Sequence, residues 1–265
     1  MRGLKLLLNA HAHWERRQSV KVKAFLMATK GVIALVFLHC IVFDYDDLFV
    51  TAEANHIVGI AVLIYKLSKE QTCVGLSLKF QKLTALFLAV RFYCSVVMEF
   101  DIHSVLDFAM LVATLWVIYM MRFKLEPVDM KRKDNFRIQY AVVPCFILAL
   151  AIYPSSSHHI LNRVFWAFSV YLEAVSMLPQ LRLIRKTKIV EPFMDYYVFS
   201  LVAAKFLNCA HWILKVFDAR EHLLTTLGHG AWPSMVLLCE ILHTIFIAKF
   251  YFLYLKRQVK HQYYG

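Results

Sequence analysis

Hydrophobic residues are grouped along this chain into eight segments, separated by short polar or charged stretches. The first, residues 24–43, has roughly the 20 residues that a helix needs to cross a membrane. We interpret it as a retained anchor helix rather than a signal peptide, because a long basic region precedes it and no clean cleavage motif follows. The other predicted helices are residues 49–66, 80–98, 104–121, 138–153, 160–181, 196–217 and 231–255.

The loops between these segments alternate in charge. Together with the N-terminus, one set of loops holds most of the 30 lysines and arginines. The other set is acidic or neutral, and we place Asp44, Glu53, Asp101 and residues 154–159 in it. Basic loops stay on the cytosolic side of a membrane. Eight spans with this alternation therefore predict that both termini are cytosolic.

The composition supports a polytopic membrane protein. The 265 residues are 60% hydrophobic, with a mean hydropathy of +0.56 and only 7 glycines, which is too apolar for a soluble domain of this size. The net charge of +12 does not indicate nucleic-acid binding, because the basic residues form short clusters between apolar segments. The expected surroundings are membrane lipid.

Ionisable residues inside the predicted spans are the candidates for function, because their burial must be compensated. Other interpretations remain open: Arg163 and Lys249 could extend to the membrane surface, Lys205 and Glu173 could form a structural ion pair, and His56 could be a neutral packing residue. The full set is His56, Arg91, Arg163, Glu173, Lys205, His211, Lys215, His243 and Lys249.

The segment at residues 160–181 carries Glu173 in mid-span and Pro179 and Gln180 at its predicted end, followed by the basic run 182–188. A buried carboxylate must be paired or face a polar cavity. Proline in a span is tolerated only where neighbouring groups satisfy the freed carbonyl. We therefore expect this helix to line a shared interior.

Catalytic and metal-binding patterns are missing from the sequence. The six cysteines form no Cys-x-x-Cys pair and lie mostly within apolar segments, so we interpret them as buried small hydrophobic residues. The chain has no Ser-His-Asp order, zinc-type spacing or phosphate-binding glycine loop. We expect neither enzyme activity, nor a cofactor, nor a metal site.

Four stretches resemble the KDEL receptors, which are the ER lumen protein-retaining receptors: residues 73–81, 136–144, 166–181 and 252–254. The resemblance runs from about residue 47 to the end. The preceding residues resemble the N-terminal extension of plant-type relatives.

The resemblance implies a fold: an all-α polytopic protein with a seven-helix SWEET-like, or PQ-loop-like, core. Two three-helix bundles are joined by a linking helix, here residues 138–153, and a site lies between the halves. The extra N-terminal helix precedes this core. The expected domains are a basic extension with its anchor at 1–46, the receptor-like core at 47–255 and a cytosolic tail at 256–265.

The resemblance also implies a role. Family members bind C-terminal retrieval signals of luminal proteins in the acidic Golgi, release them in the ER, and cycle between these membranes in vesicles. His56 matches the histidine that acts as the proton switch, and Arg91 matches the arginine that takes the ligand carboxylate. The other matching cavity positions are Trp166, Glu173 and Trp212, with Lys205 and Lys215 where the family has arginines.

Several family positions differ in this chain. Cys94 and Arg163 replace acids that receive the lysine of the signal, and Phe49 replaces a ligand arginine. The remaining changes are Ala204, Asn208 and Lys249. Like-charge juxtaposition in a poorly solvated pocket costs several kcal/mol. We therefore expect an altered ligand, with a neutral or acidic residue in place of the lysine.

The C-terminal tail is basic, and the resemblance implies that such a tail recruits the retrograde vesicle coat. The candidates are Lys256, Arg257 and Lys260, although the same charges fit ordinary anchoring on the cytosolic side. Two further functions stay open: a small-solute transporter, and a non-binding scaffold of the early secretory membrane.

The charge alternation predicts the position of the N-terminus. A tag fused there is expected to be digested by protease added to intact microsomes. Protection of that tag, with a C-terminal tag still digested, would show that residues 24–43 are cleaved off or do not span the membrane.

Overall fold

The computed structural model describes residues 46–98, 100–125, 134–187, 194–217 and 230–264. Regular structure in these residues is helical throughout. The anchor helix predicted at 24–43, and the rest of the extension up to residue 45, lie outside them. The helices are α1 Asp46–Glu70, α2 Leu78–Met98, α3 Ile102–Tyr119 with a π-helical turn Met120–Lys124, α4 Gln139–Ala151, α5 Ile160–Ser176, α6 Leu178–Lys186, α7 Asp195–Phe217 and α8 Trp232–Tyr264.

Of the seven spans predicted for the described part of the chain, six are confirmed, and the segment at 138–153 is not among them. Six helical stretches there are long and apolar enough to cross a membrane: α1, α2, α3 with its π-helical turn, α5 together with α6, α7 and α8. The α4 helix is apolar but has only 13 residues. The all-α polytopic fold class is therefore correct.

The helices form two groups of three. In the first group, α3 packs against both α1 and α2; in the second, α8 packs against both α5 and α7. The α4 helix, at the position expected for the linking helix, lies against α5. The groups meet where α1 packs against α7 and α2 against α5. Since α1 packs more extensively on α7 than any other helix pair does among the described residues, this interface is the main joint between the groups.

Large apolar side chains cover much of the outer surface of the helices. Ile147, Phe199 and Phe252 are each more than 60% exposed. Such a surface would be unfavourable in water and suits contact with lipid chains.

The end predicted for the helix at 160–181 is wrong. The α5 helix ends at Ser176, and α6 begins at Leu178 with Pro179 in its first turn and continues to Lys186. A first-turn proline loses no intrahelical hydrogen bond, because the N–H it lacks would be unpaired there anyway. The Pro179–Gln180 pair therefore begins a new helix at a break in the path.

The side chain of Gln180 fixes this break to the loop between α1 and α2. It accepts a hydrogen bond from the backbone N–H of Ser77 at 2.7 Å and donates to the carbonyl oxygen of Gly75 at 2.7 Å. Both contacts are buried. A loop that enters the protein interior must have its backbone groups satisfied in this way.

Asp134 anchors the segment before α4 to the start of α2. Its Oδ2 accepts from the hydroxyl of Ser77 at 3.0 Å and from the backbone N–H of Lys79 at 3.0 Å. Burial raises the pKa of the Asp134 carboxyl above its usual value, against the lowering effect of these hydrogen bonds. The same region holds Cys73, whose thiol donates to the carbonyl of Leu125 at 3.3 Å and whose pKa is raised by burial to about 11.

The α1–α7 interface depends on small residues and a reciprocal pair of hydrogen bonds. The side-chain amide of Asn55 donates to the carbonyl of Ser200 at 2.9 Å, and the hydroxyl of Ser200 donates to the carbonyl of Asn55 at 2.5 Å. One turn along, a Cβ placed on Gly59 would lie 2.5 Å from the Ser200 oxygen and 2.6 Å from its Cβ. Glycine permits this close approach, as is common between membrane helices.

Gly59→Ala is therefore expected to destabilise the protein by about 1–3 kcal/mol, since the new methyl group overlaps Ser200. The measurement is thermal unfolding of the purified protein in detergent. The double variant Gly59→Ala/Ser200→Gly should lose less than the sum of the two single losses. Val58→Ala, at an exposed neighbouring position, is the control and should change little. Fully additive losses would contradict direct contact at this position.

Candidate functional site

A cavity of about 440 Å³ lies between the two helix groups. Side chains from α1, α2, α3, α5, α7 and α8 line it, together with His158 from the loop before α5. Of the predicted site residues, the structure places seven in its wall: His56, Arg91, Cys94, Trp166, Glu173, Lys205 and Trp212. The described helices thus enclose a cavity with a polar wall, and its use as a binding site stays a prediction.

Arg91, on α2, is at the centre of a charged cluster in this wall. Its Nε donates to both carboxylate oxygens of Asp107, at 3.0 and 2.8 Å, and its Nη2 also donates to Asp107. Its Nη1 donates to Glu173 at 3.1 Å, and Glu53 lies 3.7 Å from Nη2. One guanidinium thus meets carboxylates from α1, α3 and α5.

The charge pattern placed Glu53 in an acidic loop, but the structure places it in a helix. It lies inside α1, where it is 8% exposed, and its carboxylate contacts the Nδ1 atom of His103 at 2.8 Å. The sequence prediction began this helix at residue 49 and counted Glu53 with the acidic loops, whereas α1 begins at Asp46. The carboxylate is tolerated in the helix because Arg91 and His103 face it.

A second ion pair joins two of the three helices of the other group, α7 and α8. Lys205 of α7 contacts the carboxylate of Glu240 of α8, and the Asn208 side chain donates to the same carboxylate at 3.4 Å. The proposed structural pairing of Lys205 with Glu173 is therefore wrong. Each of them is paired, but Glu173 is held by Arg91.

The histidines of the site lie around these clusters. His56 follows Glu53 by one turn on α1 and lines the cavity. The Nδ1 atom of His243, on α8, is 4.0 Å from a Glu173 oxygen. The switch role of His56 itself stays a prediction.

Phe49, at the position where the resemblance implies a ligand arginine, packs against aromatic rings. Its ring centroid lies 4.9 Å from that of His103 and 5.5 Å from that of His211. The His211 ring in turn lies 5.8 Å from that of Trp212. This end of the cavity is therefore an aromatic wall.

Two predicted ligand residues are not placed at the cavity. Arg163 is outside the cavity lining, with its Nε donating to the Pro154 carbonyl at 2.5 Å and its guanidinium 4.9 Å from the Tyr153 ring. The side chain of Lys215 lies outside the described residues. Cys94 does line the cavity and directs its thiol to the Asn162 carbonyl at 3.7 Å.

The sequence analysis missed four site residues: Glu53, His103, Asp107 and Glu240. Glu53, Asp107 and Glu240 lie inside predicted spans, so the rule that selected Glu173 would also have selected them. His103 needed the tertiary structure, because it lies at the beginning of its helix, where a histidine would ordinarily meet solvent.

The charges of the cavity wall do not balance. Among the described residues, five carboxylates line this wall against two permanent cations, Arg91 and Lys205. Four of the five lie close to these cations, and three of those four surround Arg91. Among the described residues, no group of three acidic, histidine or cysteine side chains is arranged to hold a metal ion. The polar contacts that the described residues make in this wall are mainly pairs of opposite charge.

Known proteins are similar to this chain over most of its length. A family model described as ER lumen protein retaining receptor matches residues 72–215. The ER lumen protein-retaining receptor erd-2.2 of Caenorhabditis elegans is 30% identical over 212 residues, covering 80% of this chain and 93% of the relative. ER lumen protein-retaining receptor A of Arabidopsis thaliana is 32% identical over 170 residues, covering 62% and 77%.

The Drosophila melanogaster receptor of the same name is 27% identical over 209 residues, which cover 78% of this chain and 92% of the relative. The similarity thus extends over nearly the whole of the animal relatives. The family model alone covers more than half of this chain. This chain therefore belongs to the ER lumen protein retaining receptor family.

Proposed function

We propose that this protein is a receptor that binds C-terminal signals of luminal proteins and returns them from the Golgi to the ER in vesicles. The observation that carries the proposal is a cavity of about 440 Å³ between the two helix groups, with charged and aromatic side chains in its wall. Family membership supports a receptor function, since the relatives are named as receptors that retain ER lumen proteins.

The cavity wall supports binding of an extended peptide tail. Trp166 and Trp212 offer apolar surface with a polar edge. Lys205, which the resemblance places at a family arginine, is held by Glu240. Its ammonium is a compact charge, whereas a guanidinium would bind a carboxylate through a planar fork of two hydrogen bonds. In this proposal His56 takes up a proton in the acidic compartment and thereby favours the ligand-bound state.

The expected preference for a neutral or acidic residue rested on Arg163 facing the ligand. Since Arg163 lies outside the cavity lining and the wall holds excess carboxylate, that reasoning loses its basis. We propose instead that the altered preference is set by Glu53, Asp107 and Glu240. Arg163 and Lys215 remain candidates on the resemblance alone.

The proposed setting is the ER and Golgi membranes, with both termini in the cytosol. Residues 1–46 would form the basic extension and its anchor, residues 47–255 the receptor core and residues 256–265 the tail. The two-group architecture with a cavity at the interface also suits a small-solute transporter. That alternative predicts flux across proteoliposomes without any peptide binding.

The receptor function predicts acid-dependent peptide binding. The purified protein in detergent is screened against C-terminal tetrapeptides at about pH 5.5 and about pH 7.2, on either side of the usual histidine pKa. Binding is expected to be at least about tenfold tighter at the lower pH, because protonated His56 favours the bound state.

His56→Gln should remove this pH dependence. The matched control is His158→Gln, which removes another histidine from the wall of the same cavity and should leave the dependence intact. Absence of binding at both pH values, combined with solute flux, would replace the receptor with the transporter.

The basic tail predicts a sorting role. Arg257 donates to the backbone carbonyl of Arg185 at 3.0 Å, whereas Lys256 is exposed. Changing Lys256, Arg257 and Lys260 to glutamine is expected to shift the protein from a distribution between Golgi and ER toward the Golgi, as seen by microscopy. The control changes three exposed basic residues elsewhere to glutamine: Arg122, Lys124 and Arg137. An unchanged distribution with intact topology would assign the tail to anchoring alone.

A further inference from the structure

The guanidinium of Arg91 is already occupied by carboxylates of the protein itself. Its Nε and Nη2 form the side-on fork that binds a carboxylate through two parallel hydrogen bonds. Asp107 fills this fork, with Nε at 2.8 Å from one of its oxygens and Nη2 donating to the other. The buried Asp107 thus takes the place that the free carboxylate of a ligand would take.

The other edge of the guanidinium is covered as well. Nη1 donates to Glu173 at 3.1 Å, and Glu53 lies 3.7 Å from Nη2. Glu53 is itself shared with His103. Both edges on which a carboxylate could form a fork therefore face negative charge.

The charge around Arg91 argues against a further anion. Three carboxylates already surround one cation, and a docking carboxylate would be the fourth in a poorly solvated site. Like charges brought together in such a site cost several kcal/mol. A ligand carboxylate could reach the guanidinium only after Asp107 had left it, and that would leave a buried aspartate unpaired.

We propose that Asp107 determines which class of ligand this cavity accepts, by holding Arg91 in place of a ligand carboxylate. The cavity then recognises a peptide tail through side chains that are neutral or positively charged, and gains nothing from a free terminal carboxylate. Thr84 supports an uncharged or donor contact: the residue lines the cavity and is 4% exposed, and its buried hydroxyl has no hydrogen-bond partner among the described residues. This inference rests on the receptor function proposed above.

The test compares tetrapeptides in matched pairs, each with a free carboxylate or a terminal amide. The probes are Lys-Asp-Glu-Leu, Ala-Asp-Glu-Leu and their amides, titrated onto the full-length protein in detergent at the pH of tighter binding. For the unmodified protein, each amide should bind within about threefold of its acid or more tightly, and the lysine peptide should bind more tightly than the alanine peptide.

Asp107→Asn frees the guanidinium with almost no change of shape. The free-acid peptides should then bind at least about tenfold more tightly than their amides, the size expected for one charge-assisted fork. Glu53→Gln should give a smaller gain in the same direction, because Glu53 lies farther from the guanidinium.

The matched control is Asp101→Asn. Asp101 is on the same segment, lines the same cavity and caps α3 by accepting from the backbone N–H of Ser104. Asparagine keeps that cap, so this variant removes the same charge without freeing Arg91. Its acid-to-amide ratio should equal that of the unmodified protein, and an equal gain here would attribute the effect to net charge and overturn the role of Asp107.

The measurement on the unmodified protein decides the inference even if Asp107→Asn does not fold. Loss of more than about threefold in affinity on amidation would show that Arg91 is open to the ligand carboxylate and would overturn the inference. The receptor function would survive that result. No binding of any peptide by any variant would instead remove the receptor function, and this inference with it.

Discussion

The structure depends on one constraint: a guanidinium within the membrane-spanning helices must be neutralised by partners from other helices. Arg91 meets Asp107, Glu173 and Glu53, which belong to three different helices. Leaving any such charge unpaired in a poorly solvated interior is strongly unfavourable. The helices that carry these residues can therefore pack in few arrangements. A buried ion cluster of this kind is weak as a source of net stability, but it selects one register among several similar apolar packings.

The remaining contacts hold the two helix groups around this cluster. Lys205 and Glu240 join α7 to α8, while Asn55, Gly59 and Ser200 bring α1 and α7 close together. Beyond the cavity, Gln180 connects the break between α5 and α6 to the loop after α1. The cavity lies where these joints meet, so the same contacts that fix the fold also fix the position of the charged wall.

Membership of the ER lumen protein retaining receptor family accounts for the architecture but not for the charges of the cavity. Trp166, Glu173 and Arg91 stand at positions that the resemblance assigns to the family site, whereas Asp107 and Glu240 were not among them. The wall consequently holds more carboxylate than permanent cation. Charges of this kind can differ between relatives while the helix framework stays the same, since one framework sustains many different sites.

The sequence alone determined the class of this protein and the positions of its helices, because apolar segments of membrane-spanning length are local features of the chain. It also identified Arg91 and Glu173, since charges inside such segments stand out. The tertiary structure decided the partners: Glu240 rather than Glu173 for Lys205, and Asp107 for Arg91. It also showed that Arg163 lies outside the cavity lining, and that Pro179 is at the beginning of a helix rather than at the end of one. Pairing between helices depends on their rotation and contact, which hydropathy along one chain does not specify.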